Sequence, residues 1–167
     1  MAESIVYRDK FLIVRKKPQQ GKRDYTIVKF RPSVAIVAVT PNDKIVLIKQ
    51  YREPLEKEIL ELPAGVKDRG DETALQTAKR ELIEETGYTS KTWTSLGRFS
   101  IEPNVVATQP FIFLALDATR KQQMKIEENI KHREYTWNEI EELINKRQLT
   151  DALSIASLYA AKIYLNI

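Results

Sequence analysis

Residues 32–52 constrain the fold of this chain more than any other stretch. PSVAIVAVT, residues 32–40, is a nearly continuous β-branched and apolar run. Such a run suits a strand covered on both faces, not one with a face in water. Pro41-Asn42-Asp43 reads as a tight turn, and KIVLIKQYR, residues 44–52, follows as a second strand. The two are expected to form a hairpin with one strand wholly buried.

The rest of the chain supplies the cover. Residues 72–86 read as a helix, because Leu75, Ala78 and Leu82 recur at spacings of three and four and Gly87 offers a C-terminal stop. Further strands are expected at 25–30, 92–99 and 111–116, with a short one at 135–137. Asn138 is expected to cap a helix over 139–146. Thr150 or Asp151 caps the last helix, which runs to Leu165 with a broad apolar face. Strands, helix, strands, helices in that order predict an α+β fold, a mixed β-sheet sandwiched between helices. No Gly-x-Gly-x-x-Gly and no Walker loop is present. At 167 residues, 43% of them hydrophobic, the chain can build one domain with a real core.

Composition narrows the chemistry. There is no cysteine, and His132 is the only histidine. Thiolate catalysis, cysteine zinc sites and histidine metal clusters are excluded. Oxygen ligands remain, and these favour a hard cation, Mg2+ or Mn2+. The N-terminus MAESIVYRDKF lacks the pattern of a signal peptide, and no apolar run of about 18 residues could span a membrane. A cytoplasmic setting is expected. Charge is uneven. Residues 1–32 carry a net +6 and residues 56–90 a net −4. A basic N-terminus suits an anionic small ligand, a nucleic acid or simply a solvated strand face.

The acidic segment centres on KRELIEETGY, residues 79–88. On a helix, Glu81 faces both Glu84 and Glu85 at spacings of three and four. Each such pair costs about 0.2–0.5 kcal/mol in an isolated helix. Arg80 can answer Glu84 but cannot serve all three. Spacing leaves two readings open: a solvated polar face, or a surface on which a divalent cation turns repulsion into shared coordination.

The surroundings favour the second. Gly65, then Glu72, seven residues, and Arg80-Glu81-Leu82-Ile83-Glu84-Glu85-Thr86-Gly87-Tyr88 resemble the Nudix box of the Nudix hydrolases. Six residues separate Gly65 from Glu72 where the box has five, so the loop holds one extra residue. The resemblance implies a Nudix fold and metal-dependent hydrolysis of a nucleoside diphosphate linked to another group. It implies Glu81 and Glu85 as principal metal ligands, with Glu84 as a further ligand or base. The carbonyl of Ala64 would be another ligand, Arg80 would orient the carboxylates, and Glu72 would support the loop.

IVLIKQYREPLEKEILELPAG, residues 45–65, is similar to the segment before the box in ADP-ribose pyrophosphatases. That similarity gives Arg52 a contact with substrate phosphates. Pro103, fifteen residues after Tyr88, resembles a marker of the same subgroup and a substrate contact. Asn104 departs from it, since Gly is common there. A glutamate-rich loop near the end of the family supplies a metal ligand or general base. Here Glu127 and Glu128 are the candidates, and the spacing favours Glu128. His132 reads as structural.

The same family implies a homodimer built by an N-terminal strand extension, here residues 1–31, beside a hydrolase domain at 32–167. Tyr7, Tyr25 and Phe30 fit packing before stacking on a base. The expected activity is Mg2+-dependent conversion of ADP-ribose to AMP and ribose 5-phosphate. Its rivals are another nucleotide sugar, a dinucleotide or an oxidised nucleotide as substrate, and a non-catalytic domain that binds nucleotide or RNA. No membrane partner is expected, and the charge asymmetry needs no nucleic acid.

Overall fold

The structure, a computed structural model, describes residues 3–21, 23–121 and 126–167. Three strands come first: β1 (Ser4–Arg8), β2 (Leu12–Lys17) and β3 (Tyr25–Phe30), an antiparallel sheet of its own. Met1, Ala2 and Lys22 of the expected extension lie outside the described residues. Then come β4 (Ser33–Ala38), β5 (Ile45–Arg52), β6 (Lys57–Glu61), β7 (Ala64–Val66) and helix α1 (Ala74–Thr86). The chain continues with β8 (Tyr88–Thr89), β9 (Thr92–Arg98), β10 (Phe111–Leu116), β11 (Thr119–Arg120) and β12 (Lys131–Tyr135). It ends with α2 (Trp137–Asn145) and α3 (Ala152–Leu165).

The expected α+β class holds, but the hairpin does not. The turn after β4 forms, with the Asp43 N–H donating to the Thr40 carbonyl at 3.0 Å and a single bridge between Val39 and Ile45. The strands then part into different sheets. β4 joins the order β7-β4-β10-β9, and β5 joins β12-β5-β6. The reason is that both edges of β4 are taken, one by β7 and the other by β10 in parallel register. No edge is left for β5. The strands expected in one sheet are therefore divided between these two, while β8 and β11 pair apart.

Burial on both faces of β4 is as the sequence predicts. Val34, Ile36 and Ala38 point to one face, where Ala78 and Leu82 of α1 meet them with Val46 and Phe113. Val37, with Leu47 and Leu114, points to the other, against Ile140 of α2 and Leu158 and Ala161 of α3. Fully burying a side chain such as Leu82 stabilises the fold by about 1.5–3 kcal/mol. This packing fixes the rotation of α1 about its axis, and with it the direction in which the glutamates point.

Capping moves the helix ends from their expected places. α1 starts at Ala74, not 72, because Thr73 and Gln76 form a reciprocal capping box. Gly87 ends it at φ 74°, a left-handed conformation that glycine adopts without strain. A second box, Thr136 with Glu139, starts α2 at Trp137 and displaces Asn138 as the cap. The last strand accordingly lies at 131–135 and not at 135–137. Asp151 caps α3, accepting from the Ser154 N–H at 2.8 Å. No helix among the described residues is long and apolar enough to cross a membrane.

Candidate active site

The site forms where β7 passes beneath α1. Gly65 sits under the Glu81 side chain, and a Cβ built on it would lie 2.0 Å from the Glu81 carboxyl carbon. Only glycine leaves that space. One turn along the helix, the Glu85 carboxylate accepts the Ala64 N–H at 2.9 Å. Glu81 and Glu85 thus face the same short strand, and both are buried, Glu85 at 4% exposure.

Buried carboxylates resist ionisation. Burial pushes the Glu81 carboxyl up to about 7, against the pull of Arg80, while Glu84 and Glu127 add to the rise. Burial pushes Glu85 up to about 8. The Ala64 N–H opposes this, and the charges of Glu81, Glu127 and Glu61 reinforce it.

Arg80 answers more of this charge than the sequence suggested. It donates through Nη1 to Glu81 at 2.7 Å and to Glu84 at 2.9 Å, and through Nε to Glu72 at 3.1 Å. A weaker contact reaches Asp68. Burial alone would lower its pKa, but Glu72, Glu84 and Glu81 together hold it above the ordinary arginine value. Glu72 lies outside the helix and accepts from Thr77 as well as Arg80, which fits a supporting role. The extra residue of the loop is absorbed by a turn in which the Glu72 N–H donates to the Arg69 carbonyl at 3.0 Å.

The loop before β12 closes the site from the other side. The Glu127 N–H donates to the Glu84 carbonyl at 3.0 Å. Glu127 and Glu128, with Arg69, Glu84, Ile126 and Asn129, line a cleft of about 570 Å³. Glu127 is the one whose charge reaches Glu81 and Glu85. Glu128, the residue that the spacing favours, lines the same cleft.

Arg52 is held at the end of β5 by Glu61, through Nε at 2.8 Å and Nη2 at 2.6 Å. Pro103 is exposed in the loop between β9 and β10, which contributes nothing to the cleft lining and instead bonds to β3 through Val105. His132 packs edge-on against Tyr88, in keeping with a structural histidine. Sequence reasoning missed two residues. Glu61 gave a signal as the last residue of β6 just before the Leu-Pro-Ala-Gly turn. Arg69 gave none beyond its place in the lengthened loop.

No three acidic side chains among the described residues converge into a ready-made metal cage. Arg80 draws Glu81 and Glu84 to itself, and Arg69 takes the other oxygen of Glu84 at 2.7 Å. The donor set nevertheless fits a hard divalent cation. It is all oxygen, and its two buried carboxylates raise each other's cost of ionisation.

Comparison with known proteins gives the family and the fold. The NUDIX domain profile matches residues 29–160. The ADP-ribose pyrophosphatase of Bacillus subtilis (strain 168) is 38% identical over 129 residues, covering 75% of this chain and 69% of that protein. The methanol dehydrogenase activator of Bacillus methanolicus is 32% identical over 143 residues, covering 84% and 76%. A crystal structure of an ADP compounds hydrolase shares the fold, with a TM-score of 0.80 at 21% identity over 99% of this chain and 92% of that one.

Proposed function

This chain belongs to the NUDIX family, and from that premise we propose that it hydrolyses ADP-ribose to AMP and ribose 5-phosphate with Mg2+, or Mn2+ in its place. The observation that carries the proposal is the pair Glu81 and Glu85, buried one helical turn apart over β7. Burying two carboxylates this way is costly unless a strong positive charge joins them. The similarity to an ADP-ribose pyrophosphatase over three quarters of the chain supports the substrate.

In this reading Glu81, Glu85 and the Ala64 carbonyl hold the cation, with Glu84 and Glu127 or Glu128 completing its surroundings. When bound, a divalent cation neutralises the diphosphate and acidifies a water. Arg80 and Glu72 keep the carboxylates aimed, and Gly65 leaves room for Glu81. Arg52, with Glu61 fixing its fork, meets a phosphate group, a task for which guanidinium geometry is suited. Pro103 lies outside the cleft, and only the family resemblance makes it a substrate contact.

The reaction is a substitution at phosphorus. The water oxygen bonds to one phosphorus of the diphosphate, and the bond from that phosphorus to the bridging oxygen breaks. The bridging oxygen leaves with the other phosphate. A carboxylate among Glu84, Glu85, Glu127 and Glu128 takes the proton of the water.

The N-terminal sheet supports a homodimer. Ile5, Val6 and Tyr7 of β1 and Phe11 of the turn before β2 are each more than half exposed, which is apolar area a partner could cover. Residues 1–31 then serve assembly and 32–167 catalysis. A substrate panel tests the activity: ADP-ribose against ADP-hexoses, dinucleotides and oxidised nucleotides, each with Mg2+. ADP-ribose is expected to give the highest kcat/KM. A hexose-linked nucleotide well ahead of it would overturn the substrate assignment.

A further inference from the structure

Three arginines approach the acidic site, and they are held very differently. Arg80 is nearly buried and shared among Glu72, Glu81, Glu84 and Asp68. Arg52 is locked by two donors onto Glu61. Arg69 makes one contact to a carboxylate, Nη2 to Glu84 at 2.7 Å, and its side chain is 62% exposed. It is also the one cation among the described residues that line the cleft beside Glu84, Glu127 and Glu128.

An anionic substrate entering a cleft lined by three carboxylates meets repulsion. Arg69 is the group placed to offset it. An exposed ion pair contributes little to stability, so giving up Glu84 costs Arg69 little. A phosphate accepts two parallel N–H bonds from the same fork and carries more charge. Release also frees the Glu84 oxygen that Arg69 now occupies. The loop is built for such a role. Its start is anchored where the Lys67 N–H donates to the Pro32 carbonyl at 2.8 Å, and its end is fixed by the Thr73 cap. Arg69 opens the turn between these anchors, just before Gly70 at φ 33°.

Resting on the hydrolase reading above, we propose that Arg69 is a substrate-binding residue of this site, one that exchanges Glu84 for a phosphate of the diphosphate when substrate enters the cleft. The lengthened loop is then functional, since it is the segment that presents Arg69.

The test is steady-state kinetics with Mg2+ and ADP-ribose on the wild type, Arg69→Gln and Arg69→Lys, with the affinity for Mg2+ alone measured beside it. Arg69→Gln is expected to raise KM about tenfold, or about 1.4 kcal/mol of binding, while kcat stays within about threefold. Arg69→Lys keeps the charge and loses the fork, and is expected to fall between. Metal affinity should hold or improve, because Glu84 loses a competitor. An unchanged KM in Arg69→Gln with an active wild type overturns the inference alone. So does a lower kcat at constant KM, which would assign Arg69 to positioning Glu84. A wild type that turns over no nucleoside diphosphate derivative overturns the hydrolase reading and this inference with it.

Discussion

Glu85 shows how one residue ties stability to function here. Its carboxyl sits at about 8 and that of Glu81 at about 7, both raised first by burial. In the unfolded chain each would titrate near 4.3. The folded protein therefore binds these protons more tightly, and stability falls as pH rises through the window from about 4.5 to 8. Metal-free protein is expected to show a Tm that drops across this range, by about 2–4 °C for each kcal/mol lost in a domain of this size. Millimolar Mg2+ should stabilise more at pH 8.5 than at pH 5.5, because it binds the ionised carboxylates. Thermal denaturation with chelator and with Mg2+ at both pH values checks this, and a Mg2+ effect equal at the two would contradict it. The helix glutamates were legible in the sequence because spacings of three and four place them on one face. Glu61 was harder to read, because its place before the Leu-Pro-Ala-Gly turn is a weak signal and its partner Arg52 lies across the β5–β6 pairing.

At the level of elements, the site depends on a close approach of strand β7 to helix α1. Gly65 permits it, and Ala78 and Leu82 hold the helix down. Gly65→Ala would push a methyl into the Glu81 carboxylate, the movable end of a side chain. The fold is expected to survive with a Tm within a few degrees of wild type. Displacing Glu81 by about 1 Å is expected to lower kcat/KM about 100-fold. A Gly65→Ala protein with full activity would contradict the role given to this contact. Helices were well legible, since periodicity is local, although two capping boxes each moved a start by two residues. The hairpin was misread for the opposite reason. The partners of β4 are β7 and β10, which come later in the chain, and no property of residues 32–52 reveals that its edges are already filled.

The whole molecule joins an exposed N-terminal sheet to the layers around α1, and charge runs from net +6 over residues 1–32 to net −4 over residues 56–90. As a homodimer the chain should sediment at twice 19.3 kDa, and removing residues 1–31 should yield a monomer. A full-length chain that stays monomeric at micromolar concentration would rule out the assembly. The fold class and the acidic face of α1 could be read from sequence. The cleft could not, because Arg69, Glu84 and Glu127 come from three segments that only the packed fold brings together. On the proposed function, this acidic face holds the cation with which ADP-ribose is hydrolysed. The most direct measurement of this is AMP release from ADP-ribose by wild type and Glu85→Gln, each with Mg2+ and with chelator. Wild-type turnover is expected only with Mg2+, and Glu85→Gln should remain folded yet lose at least about 100-fold in kcat. Turnover that persists in chelator, or that survives in Glu85→Gln, would contradict the account.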